Sequence, residues 1–301
     1  MSIAPARLDH AARFLAATAR VLEYRRFQHL FLSPDPDGVL AALSAYATQD
    51  GGYGYALEPD GRGPASQPLH VDLALRVLVE VDRLTEQTGA RIADYLASIS
   101  HADGGVPAVH PSIADHPRAP WWVVDDAARG SLIPTASLVG LLRAGGVEHP
   151  WLNAATEFCW TRIEKLTDTH PYEIINCLIF LDNADDRARA AAQAKRLGEL
   201  VRARRFVLLD PSRPQDAQLA PGYAPGEFMF PHDYAPRPDS LASKWFSAEE
   251  RRLGLAHLAQ SQAEDGGWSA RSLMWTPAVV SEWRGLATLQ ALTTLEAFAD
   301  H

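Results

Sequence analysis

The chain is predicted to be all-α, with helix pairs repeated around two concentric rings, and three observations carry that prediction. One short signal occurs three times: Asp50-Gly51-Gly52-Tyr53, Asp103-Gly104-Gly105-Val106 and Asp265-Gly266-Gly267-Trp268. Each copy has a leucine seven residues before its aspartate (Leu43, Leu96, Leu258). The aspartates stand 53 and 162 residues apart, so one register of about 54 residues fits all three, with two silent positions between the second and third. Six such units roughly fill the 301 residues. Helical periodicity also dominates, and alternating strand patterns are almost absent. Finally, the helices are of two kinds, amphipathic and apolar nearly all round, and a helix of the second kind is buried on both sides.

The elements follow in order. Residues 5–32 read as one helix, with Leu8, Ala12, Phe14, Leu15 and Leu22 on one side. Residues 37–48 form a second, running into the first Asp-Gly-Gly turn. Pro68, Pro134, Pro150, Pro171 and Pro277 each precede an apolar run, which suits proline in the first turn of a helix. Residues 69–79 are apolar almost all round and 286–298 nearly so; these are inner helices. Residues 185–204 and 249–262 carry Arg and Glu on one face and are outer helices, the second opened by a Ser247-x-x-Glu250 capping box. About eleven helices are expected, and Phe206–Leu209 is the only strand-like run. In each turn Gly-Gly supplies positive φ, the aspartate accepts from nearby N–H groups, and the following aromatic (Tyr53, Trp268) wedges between helix pairs. Residues 207–247 break the pattern with seven prolines and read as a lid or a degenerate repeat within a single domain spanning 1–301.

Composition narrows the function classes. The chain is 47% hydrophobic and 22% charged, as an ordinary globular protein is, and its net charge of −9 argues against nucleic acid or an anionic membrane as partner. Two cysteines, Cys159 and Cys177, make neither a disulfide scaffold nor a Cys-x-x-Cys zinc site. The N-terminal stretch lacks the apolar core of a signal peptide, and no window approaches the ~18 apolar residues of a spanning helix. The expectation is a cytoplasmic protein with no integral membrane segment.

Leu258-x3-Gln262-x2-Asp265-Gly266-Gly267-Trp268 resembles the Gln-Trp repeat of squalene–hopene and oxidosqualene cyclases, and the same turn occurs in protein prenyltransferase β subunits. The resemblance implies an (α/α)6 toroid whose inner helices line a central cavity, with a small apolar isoprenoid as ligand. Thr135–Arg143 resembles the helix that follows the Asp-x-Asp-Asp motif of the class II cyclases. The four positions before it are Ser131-Leu132-Ile133-Pro134, so Ile133 stands where the proton-donating aspartate belongs and the acid must lie elsewhere. The zinc set of the prenyltransferases is not matched, since the residue two before Cys177 is Ile175. Asp182-x-x-Asp185-Asp186 reverses the class I order. No metal and no cofactor are expected, with Mg²⁺ entering only if the substrate is a diphosphate.

By the same resemblance the cavity opens where the inner helices begin. His70, Asp72, Thr135, Glu173, Asn176, Glu282, Trp283 and Arg284 then fall on its mouth or upper wall. Five carboxylates are candidate acids. Glu58 and Asp60 flank Pro59: a desolvated carboxyl there acts as a general acid, or the two cap the next helix or pair with Arg62. Asp125 and Asp126 follow Trp121-Trp122, whose rings exclude water from a carboxyl unless the segment is a solvated loop. Glu282 is a buried acid or the partner of an arginine such as Arg271. His70, Trp121, Trp122, Trp275, Trp283 and Arg284 are the substrate-binding candidates: the tryptophans because ring faces stabilise cations in a dry cavity, His70 and Arg284 by their place at the mouth; the alternatives are plain core for the tryptophans and a satisfied core histidine for His70. His232-Asp233 is a further acid/base pair in the irregular segment. The function expected is that of a terpenoid-cyclase-like or prenyltransferase-like enzyme. An (α/α)6 carbohydrate-active enzyme with paired carboxylates and a non-catalytic binding or scaffold protein are the alternatives.

Overall fold

The three Asp-Gly-Gly turns share one geometry in the computed structural model, which describes residues 3–124 and 129–299. Gly51, Gly104 and Gly266 have φ of 90°, 87° and 93°. Each aspartate accepts from the N–H of the second glycine, at 2.9 Å in the first turn and 3.1 Å in the other two. The residue two before the aspartate closes the loop: Thr48, His101 and Ala263 donate their N–H to the carbonyls of Gly52, Gly105 and Gly267, at 3.1, 2.9 and 2.8 Å. The leucines seven residues earlier are all buried.

Among the described residues there are twelve α-helices and no strand beyond isolated bridges. In chain order they are α1 (Pro5–Thr18), α2 (Val21–Phe31), α3 (Pro36–Ser44), α4 (Pro68–Glu80), α5 (Glu86–Ile99) and α6 (Leu132–Ala144). They continue with α7 (Pro150–Glu164), α8 (Pro171–Asp182), α9 (Arg187–Ala203), α10 (Pro231–Tyr234), α11 (Ala248–Gln260) and α12 (Pro277–Ala297). The fold class is therefore all-α. None of these helices is long and apolar enough to cross a membrane. One compact unit comprises Pro36–Gln193, and a second joins Met1–Asp35 to Ala194–His301.

In the first unit α6 packs against both α4 and α8. Gly140 permits the second contact, since a Cβ there would lie 2.5 Å from the Ile179 carbonyl oxygen. These three helices supply fully buried Leu75, Leu138, Ile174 and Phe180. The amphipathic α5 and α7 receive the turns. A Cβ on Gly51 would meet the Arg91 carbonyl oxygen of α5 at 2.5 Å, and one on Gly104 the Ala154 carbonyl carbon of α7 at 2.4 Å. One helical turn further along each receiving helix an aromatic covers the second glycine: Tyr95 over Gly52, Phe158 over Gly105.

The second unit repeats this arrangement with the chain ends. Gly266 seats on His10 of α1, whose carbonyl oxygen lies 2.2 Å from an ideal Cβ, and Phe14 covers Gly267. Gln262 ties the two ends together, donating to the Arg7 carbonyl at 3.0 Å and to Gly266 at 2.9 Å. Trp268 is a wedge: its ring is buried with Phe14, Leu15, Leu258 and Leu292, and its indole N–H donates to the Leu258 carbonyl at 2.8 Å. The Ser247–Glu250 capping box forms as the sequence predicts.

Two expectations need correction. The helix read over 5–32 is two helices, because Ala19 and Arg20 are extended. Both halves are amphipathic, so periodicity runs through the break; the break lets α1 and α2 each pack on α12, where Gly285 faces Ala19 and Glu23. Phe206–Leu209 is not a strand, although Leu208 donates one hydrogen bond to the Met229 carbonyl at 2.7 Å.

The seat of the turns is testable by alanine substitution. Gly146 also has positive φ (67°) but no atom within 4 Å of an ideal Cβ, so Gly146→Ala incurs only the conformational cost of about 1–2 kcal/mol. Gly104→Ala adds a clash with the α7 backbone and is expected to lose about 3 kcal/mol or more. Urea unfolding of the two variants checks the difference, and equal losses would show that the close approach carries no energy.

Candidate functional site

Two loops of the first unit are zipped together beside the start of α4. Ala119 N–H donates to the Asp60 carbonyl at 2.8 Å, Arg62 N–H donates to the Pro117 carbonyl at 3.0 Å, and Gly61 and Arg118 form an antiparallel bridge. The zipper brings together four residues that the sequence named separately. The Trp121 indole N–H donates to Asp60 Oδ2 at 2.8 Å. The Trp122 ring lies 5.7 Å from the His70 ring, centroid to centroid, tilted by 45°. Gly61 leaves room for Trp122, since a Cβ there would lie 2.3 Å from the ring. Asp60 is 6% exposed and Trp122 and His70 are buried, whereas Trp121 is 44% exposed, so one edge of the cluster reaches solvent. The Glu58 side chain accepts from the Asp60 N–H at 2.8 Å and closes the local turn.

A buried polar layer joins α4, α6 and α8. Asp72, Ser137 and Asn176 each stand in the second turn of their helix, which aligns the three N-terminal ends. The Ser137 hydroxyl bonds to Asp72 Oδ1 and lies 2.7 Å from Asn176 Oδ1. Arg76 donates to Asp72 Oδ2 at 2.8 Å, and Asn176 Nδ2 donates to the Tyr172 carbonyl at 2.8 Å. Glu173 is half-buried at the first turn of α8. Burial pushes its carboxyl up, and a hydrogen bond from Thr169 at 2.9 Å opposes this. Thr135, expected on the cavity wall, is fully buried and accepts the Val106 N–H at 3.0 Å. Thr288 does the same for Trp268, also at 3.0 Å. Both threonines therefore serve the turns.

The remaining candidates fall elsewhere. Glu282, Trp275 and Trp283 are half-buried in the second unit. Arg284 forks onto Asp265, with both bonds at 2.7 Å, and its guanidinium lies 4.5 Å from the centre of the Phe14 ring. It thus clamps the third turn. The fork also holds the Asp265 carboxyl below its usual range. Asp125 and Asp126 lie outside the described residues.

A second polar cluster sits in the 207–247 segment, where Tyr223, Met229, Phe230, His232, Asp233 and Tyr234 are buried. Arg271, offered by the sequence as a partner for Glu282, instead forks onto Asp233. Asp233 also accepts the Phe230 N–H at 2.7 Å. Burial pushes the Asp233 carboxyl up, but Arg271 and these bonds hold it below its ordinary value. His232 Nε2 lies 3.8 Å from Asp233 Oδ1, and neither ring nitrogen makes a hydrogen bond within the protein. Burial pushes its pKa down to about 4; Asp233 opposes, and Arg271 and His257 reinforce. The acid/base pair expected here is therefore a carboxylate committed to arginine beside a neutral imidazole.

Sequence reasoning missed Arg118, which gathers the carbonyls of the Trp121–Trp122 loop, and missed the layer's dependence on Ser137. Neither carries a sequence signal, because one binds main chain and the other is a small residue inside an apolar helix. Among the described residues no group of three or more His, Cys, Asp or Glu is placed to hold a metal ion. No protein-family model matches the chain, and no curated protein matches its sequence.

The His232 cluster makes stability pH-dependent. The unfolded chain takes up the histidine proton near the ordinary value of 6.5, the folded chain only near 4. Between those values the unfolded state binds more protons, so stability falls as pH drops through this window; the Asp233 contribution is lost only at lower pH. Urea unfolding between pH 7 and pH 4 is expected to show the wild type losing up to about 3 kcal/mol more than His232→Phe. Parallel profiles would exclude His232 as the titrating group.

Proposed function

We propose that the protein is a terpenoid-cyclase-like enzyme that protonates an isoprenoid, with Asp60 as the acid and Trp121, Trp122 and His70 as its surround. The observation that carries this reading is the convergence of those four residues at one end of α4. Alkene protonation needs a donor screened from water and electron-rich faces beside the carbon that becomes cationic. Asp60 is nearly buried, and one of its oxygens is fixed by an indole N–H; a second indole and an imidazole stand alongside. In the proposed step the Asp60 carboxyl transfers its proton to an alkene carbon, leaving a carboxylate and a carbocation; the cation then either returns a proton to that carboxylate, giving a hydrocarbon, or is captured by water, which gives an alcohol and the proton that restores the acid. The three shared turns and the Gln-Trp-like third copy support the same assignment by resemblance. Ile133 leaves the usual acid position without a proton donor, which is why an acid from a preceding loop is needed.

The test is incubation of the purified protein with prenyl diphosphates and with an uncharged polyene, followed by mass spectrometry of the extracted products. New hydrocarbons or alcohols are expected, and Asp60→Asn is expected to slow their formation by about 100-fold or more. Failure of the wild-type protein to convert any of these substrates removes the reading.

A further inference from the structure

We propose that Arg118 is the positioning residue of the Asp60–Trp121 pair, an inference that rests on the proposed site but not on its chemistry. The loop over residues 111–122 contains one short 3₁₀ turn, Pro111–Ile113, and no longer helix or strand to hold it. Its main chain is instead wrapped around one guanidinium. Arg118 Nε donates to the Trp122 carbonyl at 3.1 Å. Its Nη1 lies 3.3 Å from the Ile113 carbonyl, 2.7 Å from Ala114 and 3.2 Å from His116. Four carbonyls on both sides of the arginine in sequence thus converge on its side chain, and the chain between them is drawn into a closed loop.

That closure sets where Trp121 and Trp122 point. The loop is fixed to the Asp60 loop at Ala119 and Pro117, just before the tryptophans. Beyond Ala119, the Arg118 bond to the Trp122 carbonyl and the Trp122 N–H bond to the Ala119 carbonyl at 2.9 Å hold the backbone. Together they aim the Trp121 indole at Asp60 Oδ2 and lay the Trp122 ring over Gly61 toward His70. A planar fork with several N–H donors suits this task, and a lysine ammonium on a flexible stem does not reproduce it. Arg118 touches neither Asp60 nor His70 with its side chain in any of these bonds, so its effect reaches the site through the tryptophans.

The experiment reads indole N–H groups by ¹⁵N NMR and needs no substrate, so its failure is distinguishable from failure of the cyclase reading. Trp151, in the same unit, donates its indole N–H to the Gly104 carbonyl at 3.0 Å and serves as the internal reference. Assignments come from Trp121→Phe and Trp151→Phe. In Arg118→Ala and Arg118→Lys the Trp121 indole N–H is expected to exchange with solvent at least about tenfold faster and to lose its wild-type shift, while Trp151 is unchanged. If Trp121 keeps its wild-type shift and protection in both variants, the proposal is overturned. Loss of both indole signals in Arg118→Lys also overturns it, by showing a general structural role instead of a positioning one.

Discussion

Backbone meets backbone where each Asp-Gly-Gly turn reaches its receiving helix, with no side chain between them. A glycine is required there twice over, by its positive φ and by the carbonyl it faces on Arg91, Ala154 or His10. The aspartate preceding it folds the loop, and an aromatic four residues further along the receiving helix closes over the second glycine. This contact fixes the distance between each turn and the helix that receives it. Everything that starts after a turn inherits that placement, including the N-terminal ends of α4 and α6. The third turn lands on α1, so the second unit is assembled from the two ends of the chain.

Polar groups are buried in both units, with different consequences. In the first, Asp72, Ser137 and Asn176 join three apolar helices at one level. Apolar packing alone tolerates sliding of one helix along another, whereas an interior hydrogen-bond network loses several bonds at once if the register slips. In the second, the Asp233–Arg271 pair sits beside a neutral His232 in a segment with little regular structure. Desolvation there is costly unless each charge keeps its partner, and the fork together with the Phe230 N–H satisfies the Asp233 carboxylate. The proline-rich segment is held by this pair and by its buried aromatics, where regular structure would otherwise supply the bonds.

The candidate site was legible in the sequence as separate residues. Paired tryptophans at 121–122, carboxylates around Pro59 and a histidine at the start of an apolar helix each stand out locally. That Asp60, and not Glu58, meets Trp121 was not legible, because it depends on which loop strands zip together. For Arg284 the sequence did not show its nearest partner: its fork closes on Asp265 from the turn nineteen residues earlier. Thr135 likewise reads as cavity wall and proves to anchor a turn.

By itself the sequence determined the helical class, the three turns and the helix starts at Pro68, Pro150, Pro171 and Pro277, since these depend on local periodicity, glycine stereochemistry and proline in first turns. The tertiary structure decided the break between α1 and α2, the pairing of Arg271 with Asp233, and the meeting of residues 58–62 with 111–122. Those outcomes depend on contacts between residues far apart in the chain, and no local propensity encodes which distant carbonyl or carboxylate a side chain will reach.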